Sequence, residues 1–306
     1  MSQMDGILAV VVTYNRLKLL QECIDACELQ TVPCHILIVD NASTDGTEIW
    51  CRGKTAENSS IYYMNTGQNV GGAGGFCEGM KWAAHHGYEY VWIMDDDTVP
   101  RHDALKELVK AAELLEWNFG YLSSAVFWTD GTACRMNRQK IQQEYSKYLK
   151  YLEHGMIQVR ESTFVSLLIN VKAIQKVGLP YKEYFIWNDD IEYTYRISSK
   201  YSDRCFMVGK SHVIHKMTAN DGTDIARDTV DRLPRYTIAV RNELSTYRKR
   251  GIKGMLKYIV LRGIDLINIL LHAKNHRIKR IMSLFNGIAK GLLFRPKIEL
   301  IRKSMN

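Results

Sequence analysis

Residues 90–97 of this 306-residue chain read YVWIMDDD. An apolar run that ends abruptly in aspartates is typical of a buried strand whose carboxyl end opens into a polar loop. Similar runs end in polar loops at Thr13, Asp40 and Asn65, and residues with helical spacing follow. Repeated strand, loop and helix units predict a parallel sheet with helices on both faces, whose loops meet at one edge.

The same patterns predict the bounds of the individual elements. Strands are expected at 7–12, 35–39, 61–64, 90–94, 121–128 and 163–169. Helices are expected at 17–27, 48–54, 76–86, from near His102, at 171–177 and at 191–199. From Pro234 onward helical spacing dominates. We therefore predict a catalytic domain over residues 1–220 and a helical region over 221–306.

Basic charge is concentrated at the carboxyl end. The net charge is +8, but residues 248–303 hold fifteen Lys and Arg against Asp265 and Glu299, a local charge of +13. The charge-free stretch 266–273 is far shorter than the roughly 20 residues that span a bilayer. The region should lie on an anionic membrane as amphipathic helices. Packing on the catalytic domain or on a second subunit is the alternative. Nucleic acid is disfavoured, since no nucleic-acid motif is recognised.

Targeting and cysteine usage favour the cytoplasm. The seven cysteines are scattered and form no C-x-x-C pair, and the N-terminus has no export signal. We expect a cytoplasmic protein bound peripherally to the inner face of the plasma membrane.

Three consecutive carboxylates, Asp95, Asp96 and Asp97, repel one another unless a cation is present. The sequence offers no other evident counter-charge. A hard divalent cation, Mn²⁺ or Mg²⁺, prefers carboxylate oxygen and keeps substrate phosphates as further ligands. The alternative is a solvated acidic turn before the next helix.

Two further clusters carry chemistry. Asp189 and Asp190 open a predicted helix, where acids are favoured by the dipole, but a carboxylate there could also deprotonate a sugar hydroxyl. His212 and His215 are expected on one face of a strand. Such a pair is more often structural unless acidic ligands converge with it.

The glycine-rich segment 69–75 reads NVGGAGG. A dinucleotide motif is disfavoured, because Cys77 stands where its last glycine should fall and the segment follows the third strand. Close approach of backbone to a phosphate or a sugar is the preferred interpretation.

Three segments, VVTYNR at 11–16, VDNASTDGT at 39–47 and DDD at 95–97, resemble the nucleotide-binding loops and the metal-binding element of family 2 glycosyltransferases. The resemblance covers about residues 7–220. It implies the GT-A fold, an α/β fold with a mainly parallel central sheet flanked by helices, to which this chain adds a C-terminal helical extension. It also implies an inverting, metal-dependent transfer of a sugar from a nucleoside diphosphate.

Within that family, segments 69–76 and 92–97 are similar to bacterial galactofuranosyltransferases, which use UDP-galactofuranose in cell-surface polysaccharide synthesis. Segment 235–242 resembles an element of rhamnosyltransferases, so dTDP-rhamnose stays an alternative donor. The acceptor would be a glycan or a polyprenyl-linked sugar. A non-catalytic sugar-nucleotide-binding subunit is the rival function, and homo-oligomerisation is left open.

The resemblance also implies site residues. Asp190 is implied as the general base. The metal ligands would be Asp95, Asp97 and His215, which we prefer to His212. The donor-binding residues would be Thr13, Asn15, Arg16, Asp40, Asn41, Asn69, Gly72, Gly74, Asp95 and Asp96. The expected acceptor contacts are Trp128, Trp187 and Asp189.

Overall fold

The computed structural model describes residues 6–142 and 145–301. In this part of the chain one ten-stranded sheet forms the centre of the molecule. Its strands are β1 (Ile7–Thr13), β2 (His35–Asp40), β3 (Ile61–Asn65), β4 (Tyr90–Asp95), β5 (Thr98–Pro100), β6 (Tyr121–Phe127), β7 (Lys140–Ile141), β8 (Met156–Glu161), β9 (Leu167–Asn170) and β10 (Cys205–His215).

Helices cover both faces of the sheet and form the carboxyl-terminal region. They are α1 (Leu17–Glu28), α2 (Thr47–Glu57), α3 (Gly71–His85), α4 (Ala104–Leu114), α5 (Val171–Val177), α6 (Asp189–Ser198), α7 (Leu233–Lys249), α8 (Gly251–His272) and α9 (Arg277–Leu293). Short 3-10 turns lie at Tyr145–His154, Lys182–Tyr184 and Val230–Arg232.

The strand order is β3-β2-β1-β4-β9-β6-β10-β8-β7, and β5 pairs with β10. The first four strands are parallel, as predicted, and β1 is buried along its whole length. β9 runs antiparallel to both of its neighbours, and β8 is antiparallel to β10. The predicted α/β fold is therefore confirmed, with a sheet that is mixed beyond β4.

Several predicted bounds need correction. Helix α3 begins at Gly71 rather than at Phe76, so residues 71–75 of the glycine-rich segment are helical rather than a loop. A Cβ on Gly75 would approach Val12 to 2.5 Å, which shows that the missing side chain permits close packing of α3 on the sheet. The strand predicted at 163–169 begins only at Leu167, because residues 164–166 form a bend in which Ser166 has a φ of 58°. Strands β5, β7 and β8 were not predicted.

Two apolar layers lie on opposite faces of the sheet, with Trp92 in one and Leu8 in the other. A third core lies among the carboxyl-terminal helices α7, α8 and α9. It is built from Tyr236, Val240, Leu244, Tyr258, Ile269 and Leu284. The proposed boundary near residue 220 stays a prediction. Side chains of α7, which follows that boundary, contact residues that precede it.

Candidate active site

The loops after β1, β2 and β4 meet at the carboxyl edge of the sheet. The register aligns Thr13 with Asp40 and Val12 with Asp95, so the strands end together. Thr13 Oγ1 donates a hydrogen bond of 2.8 Å to Asp96 Oδ2, which joins the first and third of these loops. Asn15 Oδ1 accepts a hydrogen bond of 2.7 Å from the backbone N–H of Thr44 in the second loop. The predicted convergence of polar loops is thus present.

Asp95, Asp97 and His215 form a cluster whose potential ligand atoms lie within 4.8 Å of one another. His215 Nε2 is 3.0 Å from Asp97 Oδ1, yet this buried oxygen has no hydrogen bond with acceptable geometry among the described residues. Two ligand atoms that face one space without bonding each other fit a shared cation. Carboxylate oxygens with one imidazole suit Mn²⁺ or Mg²⁺.

Asn137 orients the histidine of this cluster, and the sequence patterns did not identify it. Its Oδ1 lies 2.7 Å from His215 Nδ1, and its Nδ2 donates to Thr163 Oγ1 at 3.0 Å. The second bond fixes which amide atom faces the imidazole, so Nδ1 carries a proton and Nε2 faces the cluster. Asn137 is 78 residues from His215 in the chain, and no local spacing indicates the pairing.

Electrostatics in the cluster are strongly coupled. Burial, and then repulsion from Asp97, raises the pKa of Asp95 to about 7. Burial alone would raise the pKa of Asp97, but the close approach and charge of His215, and then the charge of Arg16, hold it below its usual value. Burial opposes protonation of His215, whereas Asp97 raises its pKa to about 10. A cation bound at Nε2 would therefore have to displace a proton.

Arg16 supplies a counter-charge that the sequence did not reveal. Its NH1 donates to Asp97 Oδ2 at 2.7 Å and to Asp96 Oδ1 at 3.2 Å. The expectation that the three aspartates lack a protein counter-charge is therefore wrong, because the fold brings together residues 80 positions apart. The side chain of Arg16 remains 49% exposed, so its free face can still reach a diphosphate.

Asp190 lies in the first turn of α6. Burial raises its pKa to about 7, against the effect of the Ile191 N–H, which donates to Oδ1 at 2.7 Å. The negative charge of Asp95 adds to the rise, so Asp190 lies within electrostatic range of the cluster. Asp189 is more deeply buried, and burial, followed by repulsion from Asp190, raises its pKa to about 8. Its burial disfavours the predicted acceptor contact.

The buried pair Asp40 and Asn41 stabilises the second loop. Asp40 accepts from the Ser43 N–H at 2.9 Å and from the Tyr63 hydroxyl at 2.8 Å. Asn41 Nδ2 donates to the carbonyl of Gly71 at 3.1 Å, which ties this loop to the start of α3. A contact of either residue with a nucleoside stays a prediction.

Among the other predicted donor residues, Asn69 is exposed, and its Oδ1 accepts from the Gly71 N–H at 2.9 Å. Gly72 has open space where a Cβ would be. Gly74 is buried, and a Cβ there would approach Val70 to 2.7 Å. Packing therefore accounts for Gly74, whereas Gly72 keeps its backbone accessible.

The two tryptophans have different environments. Trp128 donates from its indole N–H to the Met217 carbonyl at 2.9 Å and lines an open groove of about 430 Å³. The groove also contains Arg135 and Arg138. Trp187 instead contacts the ring of Tyr236 edge-on at 5.1 Å. The groove makes Trp128 the better placed of the two for a ligand.

His212 does not share a face with His215. It hydrogen bonds with Arg101 and with the Gly209 carbonyl, whereas His215 is buried against Asp97. The expectation of one shared face is wrong, because residues three apart on a strand point in opposite directions.

Comparison with known proteins gives several matches. Residues 8–154 match the family model Glycosyl transferase family 2. The galactofuranosyltransferase GlfT1 of Mycobacterium tuberculosis is 29% identical over 197 residues, 61% of this chain and 63% of the relative. GlfT1 of Mycolicibacterium smegmatis is 35% identical over 101 residues, 33% of this chain and 32% of the relative. The chain thus spans less than two thirds of these curated relatives.

A structure of GalNAc-T7 with UDP, GalNAc and Mn²⁺ matches with a TM-score of 0.63 at 12% identity. The match covers 81% of this chain and 48% of that chain. At this identity the likeness concerns the fold, and it confirms the predicted GT-A fold.

Proposed function

We propose, from the match of residues 8–154 to the model of glycosyl transferase family 2, that the chain transfers a sugar from a nucleoside diphosphate with inversion. One observation carries the proposal. The cation-compatible cluster of Asp95, Asp97 and His215 lies within electrostatic range of Asp190, a carboxylate whose pKa of about 7 suits a general base.

The mechanism follows from these positions. Asp190 accepts the proton of the acceptor hydroxyl while the hydroxyl oxygen attacks the anomeric carbon and the nucleoside diphosphate leaves. A single displacement of this kind inverts the anomeric configuration. Asp95, Asp97 and His215 would hold Mn²⁺ or Mg²⁺, which supplies charge neutralisation to the departing diphosphate. Arg16 adds a positive charge beside them.

UDP-galactofuranose is the donor that we favour. Two relatives with that transferase name, together with the glycine-rich segment, support it. The dTDP-rhamnose alternative rests on segment 235–242, but Tyr236, Arg241 and Asn242 all have partners within the protein. Structural roles account for these residues, so the segment gives little support for a rhamnose donor.

We further propose that α8 and α9 bind an anionic membrane. Only Gly254, Tyr258 and Ile269 of the 22 residues in α8 are buried, which is unusual for such an apolar helix. The exposed apolar side chains of the two helices are Ile252, Leu256, Ile259, Val260, Ile264, Ile267, Leu270, Leu271, Ile278, Met282, Phe285, Leu292 and Leu293. We call this set the exposed apolar face. Among the described residues, no helix has the length and hydropathy to cross a bilayer.

Charge supports this choice of partner. Lys253, Lys257 and Lys279 each follow a residue of the exposed apolar face by one position, and Lys290 precedes Leu292 of that face by two. None of the four lysines has an ion pair with an acidic residue in the described part of the chain. By contrast, Asp265 pairs with Arg262. A second copy meeting this face would bring lysines together, whereas anionic lipid neutralises them. The chain would then work at the inner face of the plasma membrane, on a glycan or a polyprenyl-linked acceptor.

A donor screen tests the proposed function. Purified protein with Mn²⁺ is incubated with UDP-galactofuranose, dTDP-rhamnose or UDP-glucose, and released nucleoside diphosphate is measured alongside donor binding by calorimetry. Turnover of one donor that is lost in Asp190→Asn supports the enzyme. Binding without turnover in wild-type protein, with and without lipid-linked acceptors, would favour the non-catalytic subunit instead.

A further inference from the structure

The loop that leads into α6 has an unusual backbone. Phe185, Trp187 and Asn188 have φ of 64°, 63° and 69°, a region that residues with side chains rarely adopt. Such conformations persist only where the surrounding structure determines them. Asp190 comes two residues after the last of them, so its position depends on what holds residues 183–188. We call this segment the base loop.

Asn242 of α7 is the main contact that holds the base loop. Its Nδ2 lies 2.9 Å from the carbonyl oxygen of Tyr184, 3.1 Å from that of Ile186 and 2.9 Å from that of Trp187. The side chain is fully buried. The two N–H groups of this amide therefore serve three carbonyls, so one of them is shared, and loss of the amide would remove a donor from the carbonyls of Ile186 and Trp187.

Arg241 orients this amide. Its guanidinium donates to Asn242 Oδ1 from Nε at 3.0 Å and from NH2 at 2.8 Å. Because the oxygen is held by donors, the nitrogen faces the base loop, and a flipped amide would lose both sets of bonds. The same NH2 also donates to the Glu183 carbonyl at 2.7 Å. The two neighbouring side chains act as one clamp.

Other elements complete the contact. The N–H of Ala73 in α3 donates to the Phe185 carbonyl at 3.2 Å, so five consecutive carbonyls, from 183 to 187, accept bonds from outside the loop. One turn beyond Asn242, Thr246 Oγ1 accepts from Asn188 Nδ2 at 2.8 Å. Helix α7 thus holds the base loop from its start to its last residue.

We propose that Asn242 is a positioning residue for sugar transfer, which sets the place of the Asp190 carboxylate by fixing the base loop. This inference rests on the proposed function, in which Asp190 is the general base. It also makes α7, which lies outside the sheet, a part of the active site.

The decisive variant is Asn242→Asp. It keeps the shape of the side chain and an acceptor for Arg241, but it turns an oxygen toward three carbonyls. We expect kcat to fall about 10²-fold, the scale of a misplacement of about 1 Å, with the donor KM within about threefold of wild type. Leu244→Ala is the matched control, because it removes buried packing from the same helix and leaves every hydrogen bond to the base loop in place. It should lower the melting temperature and keep kcat.

Three further measurements separate a positioning role from general destabilisation of the fold. Thr246→Val, which removes the hydroxyl, should lower kcat, and Thr246→Ser should restore it. Asp190→Asn with Asn242→Asp should be no slower than Asp190→Asn alone, because both changes act through one carboxylate. Amide hydrogen exchange over residues 183–190 should increase in Asn242→Asp and not in Leu244→Ala.

The outcomes are distinguishable. Wild-type kcat in Asn242→Asp, or an equal fall of kcat in Leu244→Ala, would overturn the positioning role. Additive losses in the double variant would also overturn it. If Asp190→Asn alone keeps the wild-type rate, the proposed base is wrong. Hydrogen exchange then still decides whether Asn242 holds the loop.

Discussion

Replacing Lys253, Lys257, Lys279 and Lys290 together by glutamine should release the protein from anionic membrane. Each basic residue near such a surface contributes about 1 kcal/mol, so four neutral substitutions remove about 4 kcal/mol. At about 1.4 kcal/mol per decade, the partition coefficient should fall roughly 10³-fold. The exposed apolar face is unchanged in this variant, so a difference in binding reports charge alone.

The assay is flotation with vesicles of phosphatidylcholine, with and without phosphatidylglycerol. The control carries glutamine at Lys18, Lys106, Lys172 and Lys200, four exposed lysines before residue 220, and so has the same net charge. It should float like wild type. Higher salt, which shortens the Debye length from about 8 Å to about 3 Å, should weaken wild-type binding. Equal flotation of both variants and wild type would refute the membrane assignment, as would equal loss in both variants.

Three further predictions concern the active site. Asp97→Ala should abolish transfer and weaken Mn²⁺ binding measured by calorimetry, whereas full wild-type activity in excess chelator would contradict the metal requirement. Asp190 must be deprotonated to act as a base, so kcat/KM should fall as the pH drops through about 7. A bound cation nearby would lower the pKa of Asp190 and shift this fall to a somewhat lower pH. Asp190→Asn should lose roughly 10²-fold or more in turnover, with donor affinity little changed. Asn137→Ala should weaken Mn²⁺ binding by about 10- to 100-fold, and Asn137→Asp, which keeps an acceptor for His215 Nδ1, should restore it; unchanged affinity in the alanine variant would remove Asn137 from the site.

The sequence predicted what depends on local pattern. Strands such as β1 and β4 are continuous apolar runs, because both faces of a parallel strand are buried. Helix α5 follows from the helical spacing of its apolar residues, and its end follows from the glycine at 178. In the structure this glycine has a φ of 79°. The position of the aspartates at the strand ends is also local, since it needs only the end of an apolar run.

What the sequence did not reveal depends on contacts between distant residues. Arg16 meets Asp96 across 80 positions, and Asn137 meets His215 across 78. Neither partner stands out in its own segment, because a single Arg or Asn is common in any loop. The start of α3 was misplaced for a different reason. Glycine has low intrinsic helix propensity, and here the packing of Gly75 against Val12 outweighs that preference.

The carboxyl-terminal helices have two proposed roles that can be tested apart. Deleting these helices would not separate the two roles, since α7 holds the base loop and shares its core with α8 and α9. Point substitutions avoid this problem, because the four lysines are exposed and Asn242 is buried. The four-lysine variant should lose vesicle binding and keep its turnover of donor with a water-soluble acceptor. Asn242→Asp should do the reverse and float like wild type while transferring slowly. If either change impaired both properties, membrane binding and the position of Asp190 would be coupled through the bundle, and the two roles would be one.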